Sequence, residues 1–298
     1  MGPIFTSPIL VHHAECVTDL HLVEPEDPDI DAVALVASLP NLRHIEFSGG
    51  EAESFLDEDL HIFDQDDPDL VALKAAMSSV RSLKFQAEVP AMTATAILSL
   101  TSRLERLDVS GSTIGETNGA VIGLAASFQQ HLVDFTVDLI GAHDRSESYT
   151  PRSVPNLWLD LPWASQLQRL ALCTVALGPD DLAFVGLFAP TLERLEIHAN
   201  YAATPFRVSV GVGFPHLTTV ILHGGLDHSV DAAMDTDLNR LLLHLSGSPL
   251  EHLTYKSKSI SYTTAYPALI KTLSSHFPTL RVLALSALGI YGDLPLTP

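Results

Sequence analysis

The chain has 298 residues, of which 46% are hydrophobic, and its 36 acidic against 16 basic residues give a formal net charge of −20. This balance excludes a typical nucleic-acid partner, because such binding relies on Lys and Arg that neutralise phosphates, and an anionic membrane would repel the chain. No apolar stretch approaches the roughly 18 residues of a membrane helix. With only Cys16 and Cys173 in the chain, we expect reduced thiols and a cytoplasmic or nuclear location.

One hydrophobic phrase recurs ten times, with apolar residues at its first, fourth and sixth positions, and its first positions lie 24 to 38 residues apart. The alternation at its end predicts a short strand in each repeat. The ten phrases are Val17-Leu20-Leu22, Leu42-Ile45-Phe47, Val80-Leu83-Phe85, Leu104-Leu107-Val109, Leu132-Phe135-Val137, Leu167-Leu170-Leu172, Leu192-Leu195-Ile197, Leu217-Val220-Leu222, Leu250-Leu253-Tyr255 and Leu280-Leu283-Leu285.

Helices are predicted between the strands. Asp27-Pro28 and Asp67-Pro68 each place an Asp before a Pro at the first helical position, and Gly178-Pro179 is a variant of this start. A Pro one or two residues before the next phrase, as at Pro190 and Pro215, ends the helix.

We expect one continuous repeat domain over residues 17–298, preceded by a cap segment over 1–16. The longest step between phrases contains an acidic insertion at 51–69, with nine acids and no Lys or Arg. Acidic residues are concentrated in the first half of the chain, where residues 1–149 carry 25 acids and 7 bases. This excess either keeps an apolar repeat protein soluble, which we favour, or attracts a basic partner.

At these phrases the chain resembles the ribonuclease-inhibitor-like branch of the leucine-rich repeat superfamily. The phrasing of Pro190-Thr191-Leu192-Glu193-Arg194-Leu195 is similar to that of fungal F-box-type leucine-rich repeat proteins. The resemblance implies an α/β solenoid, a horseshoe of about ten irregular repeats with a parallel sheet on the concave face. The first phrase opens at Val17, so we expect no F-box before the repeats.

We predict a non-enzymatic scaffold that binds a protein partner on the concave face. The alternatives are the substrate-recognition subunit of an F-box-type ubiquitin ligase, with a ligase adaptor as partner, and a GTPase-regulatory solenoid. Because alternate strand residues point to opposite sides, the third, fifth and seventh phrase positions line this face. The predicted partner-binding residues are His44, Glu46, Lys84, Arg106, Asp108, Asp134, Asp138, Arg169, Arg194, Glu196, His198 and His223. Some of these charges, such as Arg194 and Glu196, are expected to pair with each other instead.

Motifs of enzymes and cofactor sites are absent: the sequence holds no Gly-x-Ser-x-Gly, no phosphate loop and no His-Glu-x-x-His. We therefore predict no catalytic residue, no cofactor and no metal. Cys173, His198 and His223 share the seventh position of consecutive phrases. The two imidazoles could hold a metal ion, but the sequence indicates no third ligand beside them, and surface polar residues are the favoured interpretation.

Overall fold

The computed structural model describes residues 13–23, 32–48, 68–86, 97–109, 123, 126, 129–139, 154, 156–202, 213–224, 237–257 and 262–287. The chain forms two compact units, one comprising residues 1–148 and 155–167 and the other 149–154 and 168–298. In the described residues each hydrophobic phrase corresponds to one strand, with helices between strands, which confirms the α/β class.

The described residues of the first unit form five parallel strands that pair in chain order. They are β1 Asp19–Val23, β2 His44–Ser48, β3 Ser82–Phe85, β4 Arg106–Val109 and β5 Asp134–Asp138. The helices with described bounds include a 3₁₀ turn at Ala14–Cys16, α1 Ala32–Ala37, α2 Pro68–Met77 and α3 Asn156–Leu159, and residues 97–100 are also helical. The buried Trp158 of α3 packs against Phe135 of β5, with ring centroids 6.4 Å apart.

Within its described segments, the second unit also has five parallel strands in chain order. They are β6 Arg169–Leu177, β7 Arg194–Ala202, β8 Thr219–Gly224, β9 His252–Ser257 and β10 Val282–Ala287. The helices described in this unit are α4 Pro179–Leu187, α5 Asp237–His244 and α6 Tyr262–His276. Strands β6 and β7 have nine residues each and continue beyond the phrases that predicted them.

A repeated backbone hydrogen bond fixes the register between neighbouring strands. In each unit, the amides of the second and third phrase residues both donate to the carbonyl of the second phrase residue in the preceding repeat. Glu193 and Arg194 donate to Gln168 in this way, at 2.8 and 3.0 Å. Consecutive phrases are therefore aligned, so residues at the same position within neighbouring phrases lie side by side on adjacent strands.

The apolar phrase positions form the core of each unit. From the second to the ninth phrase these residues are at most 7% exposed, whereas Leu283 in the last phrase is 37% exposed. Residues between them on each strand remain partly accessible, which produces the alternation that the sequence predicts.

The predicted helix starts are confirmed where they are described. Helix α2 begins at Pro68 and α4 begins at Pro179. The start predicted at Asp27-Pro28 lies outside the described residues, as do residues 51–67 of the acidic insertion; Pro68 and Asp69 belong to α2. Of the predicted cap segment, residues 13–16 are described.

Candidate functional site

The side chains predicted to bind a partner alternate along the strands with the buried apolar residues. We call this set, together with the other residues at the third, fifth and seventh phrase positions, the polar strand face. In the first unit it includes His44, Glu46, Lys84, Arg106, Asp108, Asp134 and Asp138; in the second it includes Arg169, Arg194, Glu196, His198 and His223. All are exposed or partly exposed.

On the first unit, opposite charges follow one another across the strands. Glu46, Lys84 and Asp108 are register neighbours on β2, β3 and β4, and Lys84 Nζ lies 3.0 Å from Glu46 Oε1. His21 Nε2 lies 3.9 Å from the same carboxylate oxygen and 2.7 Å from Ser48 Oγ. Partly exposed pairs of this kind add little stability, since solvent screens them.

Opposite charges also face each other at the third phrase position of the first unit. Arg106 stands opposite Asp134 on β5 and opposite Ser82 on β3. Arg106 is exposed, and Asp134 is half-buried. The face of this unit therefore presents both signs of charge, with its carboxylates outnumbering its cations.

On the second unit, two histidines and a carboxylate converge. Glu196 and His198 lie two residues apart on β7, hence on the same side of the sheet, and His223 is the register partner of His198 on β8. Glu196 Oε1 lies 2.8 Å from His198 Nε2 and 3.6 Å from His223 Nε2. The two imidazole rings are stacked, with centroids 4.0 Å apart and planes 7° from parallel.

Buried residues hold these three side chains in place. Ile197, which separates Glu196 from His198, and Leu222, which precedes His223, are fully buried. Because their side chains point into the core, those of the three polar residues must point the other way. We call Glu196, His198 and His223 the histidine–carboxylate cluster.

The charge neighbours of the cluster set its protonation. Burial raises the pKa of the Glu196 carboxyl, but the hydrogen bond and charge of His198, with those of Arg194, outweigh it and bring the pKa below its usual value. Burial lowers the pKa of His223, and His198 and Lys256 lower it further against the opposing effect of Glu196. The cluster therefore contains an ionised carboxylate beside a neutral His223 imidazole at neutral pH.

The cluster corrects one expectation from the sequence. No third ligand was expected beside His198 and His223, yet the ligand atoms of Glu196 and both histidines lie within 4.8 Å of one another. The signal was present in the sequence, since Glu196 precedes His198 by two residues on one strand. Cys173, the predicted member of this row, is the register partner of His198 on β6 but is not part of the three-residue group.

The expected ion pair between Arg194 and Glu196 is confirmed, with Arg194 Nη2 3.4 Å from Glu196 Oε2. Arg169 is the register partner of Arg194, which places two exposed arginines on adjacent strands. Like charges directly opposite in a sheet are unfavourable. The two guanidinium groups outnumber the carboxylate of Glu196, so this part of the face is locally positive on an acidic chain.

The chain matches no model of a known protein family, and no protein of curated function shows significant similarity to it. Neither Cys16 nor Cys173 is in a disulfide. Among the helices in the described parts of the chain, none has the length and apolar character needed to cross a membrane.

Proposed function

We propose that the chain is a leucine-rich repeat protein whose ten repeats form a solenoid with the polar strand face on its concave side. The support is the periodic phrase, its coincidence with a parallel strand in every repeat, and the backbone hydrogen bond that recurs between consecutive repeats within each unit. In such a solenoid, neighbouring repeats bury one another's apolar residues and leave a broad strand surface for recognition.

On this basis we propose that the protein is a non-enzymatic scaffold that binds a protein partner through the polar strand face. The observation that carries the proposal is the regular display of large polar side chains in register across each unit. Extended surfaces of mixed charge suit protein recognition, and Arg is enriched at interfaces. The roles in ubiquitin ligation and in GTPase regulation rest on the resemblance alone and remain alternative proposals.

The second unit indicates which partner chemistry suits the face. Arg169 and Arg194 stand side by side and Lys256 lies two strands away from Arg194. These three cations outnumber the carboxylate of Glu196 beside Arg194, so the local charge is positive although the whole chain is acidic. We infer that the partner places acidic side chains against the two arginines. Bidentate pairing of guanidinium with carboxylate would give this contact its specificity.

The test is a charge reversal at this position. Arg169→Glu places a carboxylate opposite Arg194, an arrangement that suits the fold, and repels an acidic partner. Partners recovered with the full chain from its native cell extract should be lost with Arg169→Glu. They should be retained with Lys271→Glu, which makes the same charge change at an exposed residue of helix α6. Equal recovery with both variants would contradict the proposal.

A further inference from the structure

We propose that Glu196, His198 and His223 form a binding site for a divalent transition-metal ion of the zinc class. The site goes beyond partner binding, since an ion can occupy it whether or not a protein is bound. Two adjacent strands supply the ligands, so the ion would link the repeats that contain β7 and β8.

The spacing of the donor atoms suits such an ion. Zinc lies about 2.0–2.2 Å from histidine nitrogen and carboxylate oxygen, which places tetrahedral ligand atoms about 3.4 Å apart. Glu196 Oε1 is 2.8 and 3.6 Å from the Nε2 atoms of His198 and His223. These separations bracket the required value. An ion at this point would take the place of the hydrogen bond between Glu196 and His198.

The ligand types select the metal. Two imidazoles and one carboxylate favour zinc, cobalt, nickel or iron, whereas calcium and magnesium prefer all-oxygen sites. Three protein ligands leave a coordination position for water or for an incoming side chain. The cluster is partly accessible, with side-chain exposures of 25% for Glu196, 37% for His198 and 24% for His223, so this position would face solvent.

A neighbouring residue orients the carboxylate. Arg194 contacts Oε2 of Glu196, which leaves Oε1 directed at the two imidazoles. Metal ligands are commonly fixed by such outer contacts, which define their orientation. The buried Ile197 and Leu222 are adjacent in sequence to the three ligands, so they restrict the backbone that carries those side chains.

Two features oppose binding and limit its strength. The imidazole rings are nearly parallel, so they must tilt towards each other for both nitrogens to address one ion. Arg194 and Lys256 add positive charge near the site. Lys256 is exposed and can extend into solvent, which reduces its effect.

The experiment uses the full chain without a histidine tag, freed of metal by a chelator and titrated with Zn²⁺ in a calorimeter and with Co²⁺ in an absorption spectrometer. We expect one equivalent to bind. His198→Gln and His223→Gln should each weaken binding about tenfold or more, with loss of the Co²⁺ visible bands. Circular dichroism and the thermal unfolding midpoint of each metal-free variant check that the fold is kept.

Two control variants make the assignment specific. His252→Gln changes an exposed histidine on β9 and should leave affinity unchanged. Cys173→Ser should also bind as the wild type does, because Cys173 is not in the three-residue group. Absence of binding to the wild type, equal binding to the His198→Gln/His223→Gln double variant, or loss of binding in Cys173→Ser alone would each overturn the proposal.

Discussion

Asp181 connects two segments of the second unit through a buried carboxylate. Its Oδ2 accepts a hydrogen bond from the Gly178 amide at the start of α4, and its Oδ1 accepts one from the Val154 amide, both at 2.7 Å. Burial raises the pKa of Asp181 to about 6 although both hydrogen bonds act in the opposite direction. The carboxylate thus satisfies two amides that have little access to water.

Asp181→Ala removes the acceptor for both amides. Leaving a buried donor without a partner costs on the order of 1–3 kcal/mol, so we expect a fall of at least that size in the free energy of unfolding. Urea unfolding at neutral pH measures it. Asp180→Ala, which changes the neighbouring and more accessible acid in the same helical turn, should cost less than about 1 kcal/mol. Equal losses would contradict this role.

His244 gives the second unit a pH-dependent stability. The side chain at the end of α5 is 6% exposed and packs against Phe214, and no described group hydrogen-bonds to either ring nitrogen. Burial lowers its pKa below the ordinary value of 6.5. In acid, His244 therefore binds a proton more readily in the unfolded chain than in the folded chain. His244 therefore contributes fully to the free energy of unfolding above pH 6.5, and this contribution is lost as the pH falls below that value.

His244→Leu removes this titration while keeping a buried side chain of similar size. We expect the variant to lose less stability than the wild type between about pH 7.5 and about pH 5.5. Asp181 acts in the opposite direction, since its raised pKa favours the folded state below pH 6, but it is common to both proteins and cancels in the difference. Chemical unfolding at several pH values provides the comparison. Parallel pH profiles would show that His244 does not titrate as proposed.

At the scale of the element, Gly224 ends strand β8 beside the histidine–carboxylate cluster. Its φ is +126°, and a Cβ atom there would lie on the carbonyl oxygen of Ala199, its register partner on β7. Gly224→Ala must therefore move the backbone between β7 and β8. We expect a loss of about 1–3 kcal/mol or more in thermal or urea unfolding. Gly213→Ala is the matched control, because a Cβ there meets no atom within 4 Å; a similar cost for both would contradict the explanation.

The strands were largely predictable from the sequence because two independent signals indicate each of them. One is the alternation of apolar residues within the phrase, and the other is the recurrence of the phrase along the chain. The pairing of His198 with His223 was predictable for the same reason, since equal phrase positions become register neighbours. The contribution of Glu196 was missed as a ligand because its carboxylate could have turned wholly towards Arg194. The Asp181–Val154 contact was not predictable, because it joins residues 27 positions apart, with α3 and β6 between them.

At the scale of the whole molecule, charge is distributed unevenly. The net charge of −20 comes mainly from the first half of the sequence, whereas Arg169 and Arg194 make part of the second unit locally positive. Long-range attraction therefore favours a partner of neutral or positive net charge, and local contact favours acidic side chains on it. A partner that combines the two would recognise this face selectively.

The central claim is that the polar strand face contacts a partner, and site-specific photo-crosslinking tests it most directly. A photoreactive residue replaces Thr219, which lies between Arg194 and His252 on the face, or Lys271 on helix α6. We predict that position 219 crosslinks to a partner protein in the native cell and position 271 does not. A partner captured from position 271 alone, or equally from both, would contradict the claim.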